Sequence, residues 1–235
     1  MRKKLQKFLN VIYPERCPVC HRILKDQDAL ACPECRGVFL PVGVHYCLKC
    51  GKPVNPDEEY CRECTGRKRY FDRGRGIFLY DGKMRRSVVR YKYYGCRRYG
   101  DYYAGEICRL GRAEILAWRP DVIIPVPLHK RKLRMRGFNQ AAYLAYRIGE
   151  AFGIPVSGEI LLKIRNTRSQ KKLSAMERHK NLLDAFRVSA DLTGLTVLVI
   201  DDVYTTGGTM DAAAACLKAG GAERVFFITL CTGRI

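Results

Sequence analysis

An α/β fold, a mostly parallel sheet with helices on both faces preceded by a small cysteine-rich module, is predicted by three observations on this 235-residue chain. From about residue 71, strand-like and helix-like apolar patterns alternate, as parallel strands joined by helical crossovers require. Residues 197–209 read Val-Leu-Val-Ile-Asp-Asp-Val-Tyr-Thr-Thr-Gly-Gly-Thr. A buried strand there delivers Asp201 and Asp202 to its carboxyl end, where ligands of open α/β sheets bind, and the following turn offers free N–H groups to an anion. Eight of the twelve cysteines form four Cys-x-x-Cys pairs before residue 65. The length suits one domain of about 150 residues plus a smaller unit, and the expected division is 1–70 and 71–235.

At the amino terminus, Leu5, Phe8, Leu9 and Ile12 fall at helical spacing and define a short basic amphipathic helix, expected to pack on the neighbouring module. Met1-Arg-Lys-Lys has no continuous apolar core behind it to make a signal peptide, and no run approaches the roughly 18 apolar residues of a membrane span. A cytoplasmic location is expected. The cysteine pairs are Cys17/Cys20, Cys32/Cys35, Cys47/Cys50 and Cys61/Cys64, separated by eleven, eleven and ten residues. Gly37, Gly51 and Gly66 follow three of them, where tight turns let backbone wrap the sulfurs. A cytosolic chain keeps thiols reduced, so the repeated pattern is read as two tetrahedral Cys₄ zinc sites rather than a disulfide framework. Sequential pairing closes the shortest loops and is preferred, although an interleaved pairing uses the same ligands. Four thiolates fill each site, so the metals are structural and not catalytic. His21 beside Cys20 is a spare donor, and Cys96, Cys108, Cys216 and Cys231 read as small core residues.

The larger unit opens with a strand at 76–80 and a helix on which Met84, Val88 and Tyr91 form one face and Arg85, Arg86, Arg90 and Lys92 the other. A helix is expected over 103–117, then a buried strand, Asp121-Val-Ile-Ile-Pro-Val-Pro127, and an amphipathic helix over 138–152 stopped by Gly153 and Pro155. A strand near 160–164, a polar basic stretch over 165–172, and a helix near 175–185 precede the Asp201-Asp202 strand. A helix over 209–219 and a strand over 225–230 complete the pattern.

Three loops then emerge at one end of the sheet. One follows Val126 and holds Pro127, Leu128, His129, Lys130 and Arg131, with Lys132, Arg134 and Arg136 behind them. Another is the 165–172 segment with Arg165, Arg168 and Lys171. In the third, Thr205, Thr206, Gly207, Gly208 and Thr209 suit a monophosphate, the glycines permitting close backbone approach and the hydroxyls adding donors. Asp201 and Asp202 suit ribose hydroxyls. Together the loops suit a doubly phosphorylated sugar. The absence of Gly-x-x-x-x-Gly-Lys-Ser/Thr and of Gly-x-Gly-x-x-Gly after a strand disfavours nucleoside triphosphatases and dinucleotide enzymes. With 43 basic and 23 acidic side chains the formal charge is +20, which predicts attraction to polyanions. Residues 197–235 instead carry a slight acidic excess, which suits a pocket holding Mg²⁺ along with phosphates.

Residues 197–209 resemble the phosphoribosyl-pyrophosphate (PRPP) binding motif of type I phosphoribosyltransferases, with Tyr204 in place of the usual aliphatic residue. Arg136-Gly-Phe-Asn-Gln140, the series Ser169-Gln170, Leu173, Arg178 and Asn181, and the four cysteine knuckles resemble the ComF (competence protein F) family along essentially the whole chain. The resemblance implies a type I phosphoribosyltransferase fold behind a double zinc ribbon, in a protein of natural transformation and DNA uptake. It implies PRPP with Mg²⁺ as ligand and DNA-uptake or recombination proteins as partners. By position, Asp201 and Asp202 would bind the ribose, residues 205–209 the 5-phosphate, the loop after Pro127 the pyrophosphate, and 165–180 would form a lid.

Two readings of function stay open. One is a transferase in which a nucleophile attacks the anomeric carbon of PRPP as Mg-pyrophosphate leaves; the basic loop residues, among them Lys130, Arg131, Arg165, Arg168 and Lys171, would neutralise the leaving group. The other is a non-catalytic sensor of PRPP or nucleotide that grips single-stranded DNA. Tyr91, Tyr93, Tyr94, Tyr99, Tyr102 and Tyr103, interleaved with Arg90, Lys92, Arg97 and Arg98, have the composition that stacks bases and tracks phosphates. The same tyrosines at helical spacing also suit a core. Ile235 follows closely on the last strand, so the acceptor side is expected from residues 71–105 and the zinc module, an open site unlike that of purine salvage.

Overall fold

The computed structural model describes residues 14–26, 28–164 and 185–233. The expected amino-terminal helix, the basic stretch over 165–172 and the helix near 175–185, save its last residue, lie outside them. In chain order the elements are a 3₁₀ turn at Pro33–Cys35, α1 (Arg62–Thr65), β1 (Arg73–Leu79), α2 (Gly82–Tyr93), α3 (Tyr99–Leu110) and α4 (Arg112–Trp118). There follow β2 (Val122–Pro125), α5 (Lys130–Arg136), α6 (Gln140–Phe152), β3 (Leu161–Lys163), β4 (Phe186–Val188), β5 (Thr196–Tyr204), α7 (Gly208–Ala219) and β6 (Arg224–Thr232).

Four strands form one parallel sheet in the order β1-β6-β5-β2. Parallel strands buried on both faces need continuous apolar runs, and Val197 to Ile200 and Val225 to Ile228 supply them. Alternate side chains feed two apolar clusters. Leu198, Ile200, Phe226 and Ile228 join Met84, Tyr103, Ile107, Leu144 and Ile148 from α2, α3 and α6 on one face. Val197, Val199, Val225 and Phe227 join Met210, Ala213 and Leu217 from α7 on the other. The cysteine module enters both clusters, Cys17 and Cys35 in the first and Cys47, Cys50 and Cys61 in the second. It also covers the β1 edge: Val42 N donates to Ile77 O and Leu79 N to Leu40 O, each at 2.8 Å. This pairing occupies an edge that would otherwise template association.

Several elements differ from the sequence expectation. The helix over 103–117 is two helices that break at Gly111. The strand near 160–164 pairs antiparallel with β4 in a separate two-stranded hairpin instead of joining the main sheet. The basic segment after His129 is helical. His129 Nδ1 accepts from Arg131 N at 3.3 Å as an N-cap, and Gly137 ends the helix. Arg136-Gly-Phe-Asn-Gln140 is thus a helix–helix junction. Arg136 donates to Gln140 Oε1 at 2.9 Å and lies over the Tyr93 ring, Phe138 enters the core, and Asn139 caps α6 at Ala141 N.

Candidate functional site

The carboxyl end of β5 collects the polar chemistry because its apolar run stops at Ile200 and the strand continues. Successive side chains leave a strand on opposite faces, so Asp201 and Asp202 diverge. Asp202, 8% exposed, accepts from Lys92 Nζ at 2.8 Å. Lys92 comes from the last turn of α2. Burial opposes its charge, but Asp202 and then Asp201 hold its pKa above the ordinary value. Asp201 is pushed up to about 7 by burial and by the neighbouring Asp202 charge, against the pull of Lys92 and Lys163. Lys163, at the end of β3, is half-buried and its pKa is lowered, first by burial and then by Lys132. Two lysines from separate elements therefore bracket the carboxylate pair.

Beyond the pair, residues 205–209 form the turn into α7. Gly207 is its N-cap at φ 79°, a left-handed conformation that favours glycine. Asp201, Thr205, Thr206, Gly207, Gly208 and Thr209 line a cleft of about 50 Å³, and the amino-terminal N–H groups of the 12-residue α7 open onto it. Pro127, Leu128, His129 and Lys130 face a larger cleft of about 700 Å³ with Asn139 and Lys163. Val126 N donates to Ile200 O at 2.9 Å, which ties the start of that loop to β5. Lys130 and Arg131 are exposed. Arg165, Arg168 and Lys171 lie outside the described residues.

Among the described residues, two clusters of side chains could hold a metal ion. Cys17, Cys20, Cys32 and Cys35 converge, as do Cys47, Cys50, Cys61 and Cys64, with all ligand atoms of a cluster within 4.8 Å of one another. The pairing is sequential. Zinc–sulfur bonds of about 2.3 Å place tetrahedral sulfurs about 3.8 Å apart. Cys20 and Cys32 stand at 3.8 Å and Cys50 and Cys61 at 3.6 Å, so both sulfur sets fit zinc. His21 is not a spare ligand: its Nδ1 bonds the Tyr99 hydroxyl at 2.6 Å.

Comparison with known proteins matches both parts of the chain. The Double zinc ribbon domain family matches residues 8–65 and the Phosphoribosyl transferase domain family residues 116–235. DNA utilization protein YhgH of Salmonella typhi is 32% identical over 222 residues, 92% of this chain and 89% of that protein. Competence protein ComFC of Bacillus subtilis is 30% identical over 86% of this chain and 84% of its own length. The chain belongs to the ComF family. Competence protein F of Haemophilus influenzae is a further relative, 28% identical over 77% of this chain and 81% of its own.

Of the four basic residues that the sequence of this ComF-family protein assigns to nucleic acid, three engage other side chains. Lys92 is spent on Asp202. Arg97 lies over the Phe138 ring at 4.7 Å, and Arg98 pairs with Glu15 at 2.9 Å. Tyr91, Tyr99, Tyr102 and Tyr103 are core residues, whereas Tyr93 and Tyr94 are exposed. Arg90 instead lines a cleft of about 570 Å³ with His21, Arg85, Arg86 and Tyr94. No ion pair engages Arg85, Arg86 or Arg90 among the described residues. The resulting field shows at His21, whose pKa is lowered by burial and then by Arg90 and Arg16.

Sequence reasoning missed Lys163 and Arg69. Arg69 is buried between the second cysteine cluster and the 205–209 turn, and its Nη2 donates to Thr206 O at 3.2 Å. Neither residue stands in a motif. One basic side chain after a strand and one after a knuckle carry no signal until the fold supplies their partners.

Proposed function

We propose that this ComF-family protein binds PRPP with Mg²⁺ at the carboxyl end of β5 and transfers its phosphoribosyl group to an acceptor nucleophile. The observation that carries this reading is the carboxylate pair set directly before a glycine–hydroxyl turn at the start of a 12-residue helix. Asp201 and Asp202 would accept from the ribose hydroxyls, and residues 205–209 would donate to the 5-phosphate. In the transfer, the bond from the anomeric carbon to pyrophosphate breaks while a bond to the acceptor nucleophile forms. The positive charge developing on the sugar would be supported by the nearby carboxylates, and pyrophosphate would leave against Lys130 and Arg131; bound Mg²⁺ would supply further charge neutralisation. Arg165, Arg168 and Lys171 are assigned to the lid. The division between the zinc ribbon and this domain is placed near residue 70, between the last ligand, Cys64, and β1.

Calorimetry with PRPP and Mg²⁺ on the zinc-loaded chain tests the pocket. Asp201→Ala combined with Asp202→Ala is expected to weaken binding about a hundredfold, roughly 2.7 kcal/mol. Unchanged affinity would remove the assignment.

A second role rests on three arginines that no ion pair engages among the described residues. Arg85, Arg86 and Arg90 around a cleft, beside exposed Tyr94, suit a single strand of DNA through phosphate contacts and stacking. The names of the competence and DNA-utilization relatives favour such a partner, and cytoplasmic residence suits thiols that must stay reduced to take zinc. Binding of single-stranded DNA is expected to fall steeply with salt, and Arg86→Ala combined with Arg90→Ala to flatten the log–log salt slope by about 1.4. Salt-independent binding would contradict the role.

A further inference from the structure

The second cysteine cluster lies directly beneath the 205–209 turn, and two buried donors stand between them. The Arg69 side chain is 4% exposed. It lies 3.8 Å from Glu63, which sits in α1 between ligands Cys61 and Cys64, and 3.7 Å from Asp211 in the first turn of α7. Its Nη2 holds Thr206 O. Its Nε is buried without a hydrogen-bond acceptor among the described residues, while the guanidinium stands beside the Cys64 sulfur.

Tyr204, the last residue of β5, repeats this arrangement on the other side. Its ring stacks on Phe227 at 5.0 Å and meets Phe71 edge-on. Its hydroxyl is buried with no well-formed hydrogen bond among the described residues, and the ring shares one buried cluster with Cys50. Gly207 rests so closely on this ring that a Cβ there would collide with the tyrosine oxygen. The position of the hydroxyl therefore sets the position of the turn.

A neutral thiol is a weak acceptor, whereas thiolates around zinc carry a net charge near −2 and accept strongly. Metal in this cluster would convert two orphaned donors into satisfied ones and orient the side chains that carry them. The first cluster offers an internal contrast. Its neighbours include Arg22, which reaches Cys20 from an exposed position, and the α2–α3 core, and among the described residues no hydrogen bond or ion pair joins it to the 205–209 turn.

We propose that Arg69 and Tyr204 are positioning residues that couple metal in the Cys47/Cys50/Cys61/Cys64 site to anion binding in the 205–209 turn, while the first site stands apart. The ligand half of the statement rests on the phosphate reading above. Coupling is reciprocal at equilibrium. A phosphate ligand should raise zinc affinity at the second site by the same factor by which that zinc raises phosphate affinity, about fivefold at the lower end of typical couplings.

The test uses the full zinc-loaded chain in equilibrium competition with a chelator, with and without saturating ribose 5-phosphate. Alkylation of freed cysteines reports which site has emptied. The expected result is about fivefold tighter zinc retention at the second site only. Arg69→Gln and Tyr204→Phe should retain both metals but lose most of that enhancement. Ribose 5-phosphate that binds by calorimetry without shifting second-site zinc affinity overturns the coupling. If it does not bind at all, the phosphate reading fails, and a separate arm decides the coupling. Amide hydrogen exchange over 205–210 should quicken at least about tenfold when the second site alone is emptied or when Arg69→Gln is made, and unchanged exchange overturns the proposal.

Discussion

Alanine in place of Gly51 is expected to destabilise the zinc-loaded chain by about 4 kcal/mol. Gly51 follows Cys50 at φ 72°, and its N–H closes the knuckle by donating to Cys47 O at 2.8 Å. A left-handed backbone costs a non-glycine residue about 1 kcal/mol or more. The larger cost is steric. A Cβ at this position would lie 2.6 Å from Arg75 Cα and from Gly74 O and 2.7 Å from Gly76 N. All three are backbone atoms of β1, so no side chain can turn aside, and either the knuckle or the strand must move. Overpacking of that kind costs roughly 1–3 kcal/mol. The knuckle cannot drift cheaply either, because Arg75 is buried in an ion pair with Glu114 at 3.1 Å, under the Tyr46 ring and against Val42 O. Gly37→Ala is the control: the same left-handed φ, 77°, with nothing within 4 Å of a Cβ. It should lose only the conformational part, about 1 kcal/mol. Thermal unfolding of both variants at fixed zinc decides the matter, with the midpoint falling about 10 °C for the first and about 3 °C for the second. Equal shifts would show that the contact with β1 relaxes freely.

What could be read in the chain beforehand divides along physical lines. The β5 run Val197-Leu-Val-Ile200 announced itself because a strand buried on both faces needs every residue apolar, and the cysteine pairs did so because metal ligation demands fixed local spacing. Both signals are contained in short windows. The α5 helix was not legible: Lys130, Arg131, Lys132, Arg134 and Arg136 leave no buried residue to mark a face, and the helix exists through its caps at His129 and Gly137. The three-residue strands β3 and β4 are too short to show a period. Lys92 was misread for another reason. A cation on the polar face of α2 looks solvated until the fold brings residue 202 within 2.8 Å of it. Tyr204 likewise shows in the sequence only as a departure from the usual aliphatic residue, and only the packing of Phe71, Phe227 and the second knuckle gives its ring and hydroxyl their places.

Replacing Lys92 with methionine is expected to cost about 3 kcal/mol near neutral pH. The side chains of Lys92 and Asp202 are 16% and 11% exposed, so removing the ammonium leaves a desolvated carboxylate with no counter-charge, and such losses run to roughly 3–5 kcal/mol. The partial exposure places the value at the lower end. Asp201 makes the loss depend on pH. Its folded-state pKa, about 7, lies above the ordinary 3.8. The stability it contributes is therefore fully present below about pH 4 and is lost as pH rises through about 7. Lys92 is one of the two cations that hold this pKa down. Without it the pKa climbs further and the loss deepens, so denaturant unfolding should show a larger deficit at pH 8 than at pH 5. Asp202→Asn added to Lys92→Met removes the unpaired charge and relieves Asp201 at the same time, and most of the deficit should return. A deficit equal at both pH values and unrelieved by the second substitution would mean that Lys92 acts through its methylene packing in α2, with the carboxylates indifferent to its charge. The predicted pattern would instead identify Lys92 as the cation that keeps two adjacent carboxylates folded side by side until a ligand takes their charge.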